Sequence, residues 1–197
     1  MTKENYLSPA ANGFLAGIGI KELRVYPHPA VSIIITGKEL QPPGEKLQHG
    51  QVYESNSFML QAALQQLHID NVKIIWVEDD LNLLQKALQN ALENSDLILL
   101  TGGISAGDYD YVLQAANLCG VKKIFHKVKQ KPGKPLYFGK KENRLVFGLP
   151  GNPSSVLTCF YEYVIPALEQ LSQRKNIIHT LSLPLLKYYQ KKPGLTH

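Results

Sequence analysis

Val72–Thr101 reads VKIIWVEDDLNLLQKALQNALENSDLILLT, and its three parts decide the architecture. Val72–Val77 is an apolar, β-branched run of strand length. Asp79 and Asp80 then open a segment in which Leu84, Ala87, Leu88, Ala91 and Leu92 recur at i, i+3, i+4, i+7 and i+8, the spacing of one helical face. Asp96–Thr101 (DLILLT) returns to strand. A strand, a helix and a strand joined by short links predict two parallel strands with a right-handed crossover.

Working outward, the same alternation continues on both sides. Ala30–Thr36 (AVSIIIT) is an unbroken apolar run ending at Gly37 and predicts a buried strand. Asn56–His68 predicts a helix, with Ser55 or Asn56 as its N-cap and Phe58, Leu60, Ala63, Leu64 and Leu67 largely on one face. Downstream, the loop Gly102–Gly107 leads to a helix near Tyr111–Leu118. The pattern then changes. Lys123–Val128 alternates weakly, a Pro-Gly-rich turn follows, and Leu136–Phe138 and Leu145–Leu149 read as short strands before an amphipathic helix over Pro153–Leu171. The expected fold is α/β: a three-layer α/β/α domain over residues 29–172, with a mostly parallel sheet. Residues 1–28 read as a lead-in from a preceding domain, with Ser8-Pro9 capping a short helix. Residues 173–197, with a strand over Thr180–Leu186 and a basic tail, are too few for a core of their own and read as the beginning of an incomplete C-terminal β domain. Met59 and Trp76 are expected in the core, and His126 as a packing or surface residue.

Composition narrows the class. Of 197 residues, 44% are hydrophobic and 19% charged, which argues against disorder. No apolar run approaches the roughly 20 residues of a membrane span. The first apolar stretch is broken by Asn12, Gly13, Gly17 and Gly19, which argues against a signal peptide. Cys119 and Cys159 lie in apolar helical patterns, as reduced core thiols of a cytoplasmic protein would. Within the net charge of +5, Lys122, Lys123, Lys127, Lys129, Lys131, Lys134, Lys140 and Lys141 crowd one stretch. An anionic partner and a solvated lysine face both fit that cluster. Nucleic acid is not the expected partner of that cluster.

In open parallel sheets ligands bind outside the carboxyl ends of the strands. Here those ends run into Thr36-Gly37-Lys38-Glu39-Leu40, into Val77-Glu78-Asp79-Asp80, into Thr101-Gly102-Gly103-Ile104-Ser105-Ala106-Gly107-Asp108-Tyr109-Asp110, and into Leu149-Pro150-Gly151-Asn152-Pro153. Four polar or glycine-rich loops on one edge predict a binding site. The third lacks both the Gly-Lys-Ser/Thr ending of a P-loop and the dinucleotide fingerprint. Asp108 and Asp110 there, and Asp79 and Asp80 on the second loop, can each cap a helix. Carboxylates on one sheet edge can equally hold Mg²⁺, which takes one or two of them together with ligand phosphates. Lys131-Pro132-Gly133-Lys134-Pro135 presents two lysines from a stiff turn, with Lys127 close in sequence, and suits an oxyanion or phosphate.

In this order the motifs resemble the molybdopterin molybdenumtransferase (MoeA) family and the related gephyrin E domain. The resemblance spans about Ala30–Leu171 and adds Ser55-Asn56 to the pieces already quoted. It implies a homodimeric, Mg²⁺-dependent transferase of molybdenum cofactor biosynthesis that inserts molybdate into adenylated molybdopterin and releases AMP. It implies Asp80 and Asp110 as essential, metal-binding carboxylates and Lys127 and Lys131 as functional lysines. The substrate contacts it implies are Thr36, Gly37, Glu39, Asn56, Thr101, Gly102, Gly103, Ser105, Gly107, Pro132, Gly133, Lys134, Pro150, Gly151 and Asn152. Lys38 and Glu54 depart from it, since the family usually has Asp at both. The resemblance also implies further domains on a longer chain. A non-catalytic scaffold of the gephyrin type and a molybdopterin adenylyltransferase-like protein are the alternatives.

Overall fold

The computed structural model describes residues 7–102, 111–174, 181–184, 186–187 and 194–196. Six strands form one sheet in the order β4-β1-β5-β8-β7-β6. β1 (Val31–Thr36), β4 (Val72–Val77), β5 (Leu97–Thr101) and β8 (Arg144–Leu149) are mutually parallel. β7 (Tyr137–Lys141) runs antiparallel to β8, and β6 (Lys122–His126) antiparallel to β7. A separate two-stranded ribbon pairs β2 (Leu40–Gln41) with β3 (Val52–Tyr53).

The continuous apolar runs are explained by burial on both faces. Ile33 and Ile35 of β1, with Leu97 and Leu99 of β5, face α2 (Asn56–Gln66), α5 (Pro153–Cys159) and α6 (Ile165–Leu171). Ile34, Ile98 and Leu100 face α3 (Leu81–Asn94) and α4 (Tyr111–Leu118), against Leu84, Leu88, Val112 and Ala116. Cys119 and Cys159 are both buried free thiols. At the amino edge of the sheet Arg144 pairs with Asp96, whose other oxygen accepts from the Ala30 N–H at 3.0 Å. Among the described residues no helix is long and apolar enough to cross a membrane.

Several expectations need correction. The helix predicted over Pro153–Leu171 contains a π turn at Phe160–Val164, where the Ile165 N–H donates to the Phe160 carbonyl five residues back. Pro166, which has no N–H to offer an α-helical ladder, lies directly after it. α2 stops at Gln66 rather than His68, which is left-handed at φ 59°. Ser55 holds the N-cap position of α2 without a side-chain bond, and the buried Glu54 does the capping instead. Its carboxylate accepts from the Ser57 N–H at 2.8 Å and the Ser57 hydroxyl at 2.6 Å. Trp76 is 46% exposed, because β4 is an edge strand with a sheet neighbour on one side only. Leu181–Pro184 form no strand, and Leu181, Leu183 and Leu186 are exposed, for they meet no ladder partner among the described residues. At the other end the expected helix is α1 (Pro9–Gly17), capped by Ser8.

Candidate functional site

Each parallel strand delivers its carboxyl end to the same edge. β1 ends at Thr36 and β5 at Thr101, and both hydroxyls are buried without a hydrogen-bond partner among the described residues. A buried hydroxyl left unpaired costs roughly 1–3 kcal/mol, so such groups commonly await a ligand or water. Beyond Thr101 the backbone doubles against β1. Gly102 has φ +82°, and a β-carbon there would lie 1.8 Å from the Thr36 carbonyl oxygen. Only glycine fits that approach.

At the next strand Asp80 is the N-cap of α3. Its Oδ1 accepts from the N–H groups of Asn82 and Leu83, both at 2.9 Å. Among the described residues Oδ2 is left without a bond. Asp80, Asp79, Glu78, Trp76, Lys38 and Gly37 line a cavity of about 570 Å³. The Glu39 carboxylate folds back over Gly37, its oxygens 3.1 Å from where a β-carbon would stand. Among the described residues no cluster of three or more side chains forms a closed metal site.

On the other side of β5 the Pro150-Gly151-Asn152-Pro153 turn joins β8 to α5. Asn152 caps α5 by accepting from the Ser155 N–H at 3.3 Å. The Asn56 side chain, at the start of α2, donates to the Gly151 carbonyl at 2.9 Å, while its own Oδ1 is buried and unpartnered among the described residues. Tyr137, the first residue of β7, pairs with Gly148 near the end of β8, so the loop leading into β7 lies on this edge too. That loop carries the lysines. Its neck is closed by Lys127 N–H donating to Leu136 O and Val128 N–H to Lys134 O, both at 2.9 Å. Lys127 is left-handed at φ 67°, and the Lys131–Pro132 peptide is cis. Lys127, Lys131 and Lys134 are exposed, whereas Gly133 is buried beneath Cys159. Burial pushes the Cys159 thiol up to about 11. The Tyr163 phenol is also raised, first by burial and then by the negative charges of Cys159 and Glu162.

A family model described as a probable molybdopterin binding domain matches residues 32–170. The chain belongs to that family. Among its relatives, the molybdopterin molybdenumtransferase of Haemophilus influenzae is 37% identical over 170 residues, covering 86% of this chain and 42% of the relative. The moeA molybdopterin biosynthesis protein of Pyrococcus horikosii superimposes with a TM-score of 0.72 at 30% identity, over 88% of this chain and 43% of that one. The chain therefore spans less than half of either protein. The Mog protein of Mycobacterium ulcerans shares the fold alone, with a TM-score of 0.50 at 20% identity over 72% of this chain and 98% of that one.

One edge of the sheet gathers Thr36, Gly37, Glu39, Asn56, Asp80, Thr101, Gly102, Lys127, Lys131, Pro132, Gly133, Lys134, Pro150, Gly151 and Asn152. The predicted Gly103, Ser105, Gly107 and Asp110 lie outside the described residues. Trp76 is the cavity residue that sequence reading missed. Lys38 stands at the cavity as an exposed cation among three acidic residues.

Proposed function

We propose that this domain holds the substrates of a molybdopterin molybdenumtransferase, which inserts molybdate into adenylated molybdopterin and releases AMP. What supports the reading most is the length of the candidate edge. From Asp80 beside β4 to the lysine loop beside β7 there are four strand intervals, about 19 Å at the usual spacing. A mononucleotide would leave much of that edge empty. An adenylated pterin with a separate oxyanion would fill it, with the Thr36 and Thr101 hydroxyls, unpartnered among the described residues, near its middle.

Carboxylates and lysines then divide the work. Mg²⁺ accepts one or two carboxylates and completes its shell with phosphate and water oxygens. Asp80 fits as one such ligand, because among the described residues its cap engages Oδ1 alone and Oδ2 is left over. Asp110, by the family resemblance, is the other. When bound, the metal supplies positive charge to the phosphoanhydride that releases AMP. Lys127 and Lys131 donate to molybdate, a dianion, through charge-assisted hydrogen bonds. In the whole protein this domain works within a homodimeric enzyme of the cytoplasm.

Calorimetric titration of the purified chain with adenylated molybdopterin, with and without Mg²⁺, tests the proposal. Magnesium-dependent binding that Asp110→Asn abolishes is the expected result. Binding indifferent to both the metal and the substitution would remove the carboxylates from the site.

A further inference from the structure

The lysine loop is tied to the helix beneath it through side chains that no role so far uses. The Tyr163 hydroxyl donates to Gln130 Oε1 at 2.6 Å, and Gln130 Nε2 donates to the Pro132 carbonyl at 2.8 Å. One position on, the Cys159 thiol donates weakly to the Gly133 carbonyl at 3.8 Å. Two successive carbonyls of Lys131-Pro132-Gly133-Lys134 are thus engaged by side chains, while both lysines are exposed. The fit is close. Gly133 has φ +103°, and a β-carbon there would meet Cys159 Sγ at 2.7 Å and Gln130 Nε2 at 2.8 Å. Tyr163 is itself held, its ring tilted against Phe125 with centroids 6.2 Å apart, and it belongs to the π turn. π turns are frequent at functional sites.

We infer that Tyr163 and Gln130 are positioning residues that fix the shape of the lysine loop and so set its affinity for a tetrahedral oxyanion. The inference rests on the reading of Lys127 and Lys131 given above. Gln130 Nε2 holds the Pro132 carbonyl directly after Lys131, so a Gln130 amide released from Tyr163 loosens the backbone beside that lysine. A loosened loop also uncovers Cys159, which is otherwise fully buried. The thiol is therefore a built-in reporter of the tie, independent of any ligand.

Tyr163→Phe removes one oxygen and leaves the ring on Phe125. In the full chain, the reaction of Cys159 with a disulfide reagent is followed by peptide mass spectrometry, which scores Cys119 separately. Tungstate affinity is measured by calorimetry. The expected result is labelling of Cys159 accelerated about fivefold or more and tungstate binding weakened about two- to tenfold, the range for one lost neutral hydrogen bond. Gln130→Met should reproduce both changes. An unchanged thiol rate in both variants overturns the tie, and faster labelling with unchanged tungstate affinity overturns the positioning role. Lys131→Ala separates the two ideas. If it leaves tungstate affinity intact, the assignment of the lysines fails, while the thiol rate still decides whether Tyr163 and Gln130 hold the loop.

Discussion

Asp80 carries two roles on two different atoms, and substitutions can pull them apart. Oδ1 caps α3 through two 2.9 Å hydrogen bonds, whereas the charge and Oδ2 belong to the proposed metal and phosphate site. Replacing an N-cap Asp by Ala costs about 1 kcal/mol, within a range of roughly 0.5–2. In a chain of this size about 1 kcal/mol corresponds to a shift of roughly 2–4 °C in melting temperature. Asn is as good an N-cap as Asp, so Asp80→Asn should keep the cap and forgo only the favourable charge at the helix N-terminus, a few tenths of a kcal/mol on an exposed turn. The expected pattern is therefore asymmetric. Asp80→Ala lowers the melting temperature by about 2–4 °C and Asp80→Asn by about 1 °C or less, yet both lose magnesium-dependent binding of adenylated molybdopterin alike. Differential scanning fluorimetry and calorimetry on the same preparations read the two effects. Equal destabilisation by Ala and Asn would refute the capping role. Full magnesium-dependent binding by the Asn variant would refute the need for a carboxylate at this position.

Gly102→Ala should cost more than about 3 kcal/mol, since it combines left-handed strain with a clash against the Thr36 backbone; a melting temperature within 2 °C of the parent would contradict this. Thr36→Val removes a buried hydroxyl that has no partner among the described residues and keeps the β-branched shape, so the protein should be as stable or up to about 1 kcal/mol more stable while binding adenylated molybdopterin less well. A loss of stability by thermal melting would mean that the hydroxyl is satisfied. Burial lifts Cys159 from 9.0 to about 11 and Tyr137 from 10.0 to about 12. Both therefore contribute stability that is fully present below their unfolded values, and it is lost as pH rises from about 9 toward 12. Melting temperature followed across pH 7–11 should be flat with respect to these two groups up to about pH 8 and then decline, and a rise above pH 9 would oppose the assignment.

The features legible in the sequence were those written in local spacing. Asp79-Asp80 before Leu84 and Leu88 announced a helix with two candidates for its cap, of which Asp80 holds the position, and AVSIIIT and DLILLT announced strands buried on two faces. The positions of the loops followed, because parallel strands must end together. The misreadings came from information that is not local. Trp76 reads as core in any window of VKIIWV, and only the strand order, with β4 at the margin, exposes it to the cavity. The tie from Tyr163 to Gln130 joins residues 33 apart in sequence, a distance no periodicity reports. Other signals were present and underweighted. Pro166 inside the last apolar pattern marked the π turn, and Glu54 three residues before Ser57 offered a carboxylate to a helix start whose cap position Ser55 occupies.

The strand order also explains how one edge can carry opposite charges without neutralising them. Carboxylates and lysines a few ångströms apart would pair with each other and offer little to a ligand. Here the Asp79 and Asp80 loop follows β4 while the lysine loop precedes β7, so β1, β5 and β8 separate them. The resulting gap of about 19 Å exceeds the Debye length of about 8 Å at physiological salt, so the two groups barely sense one another. The side-chain ion pair described in the sheet, Arg144 with Asp96, joins the amino ends of β8 and β5 at the opposite edge. Between them the edge carries Lys38 and Glu39 after β1, the hydroxyls of Thr36 and Thr101, the close backbone of Gly102 and the Gly151 turn. A rigid sheet thus holds a cation-seeking group and an anion-seeking group at a fixed separation. That arrangement suits a long ligand engaging both ends and gives a short one no means of doing so.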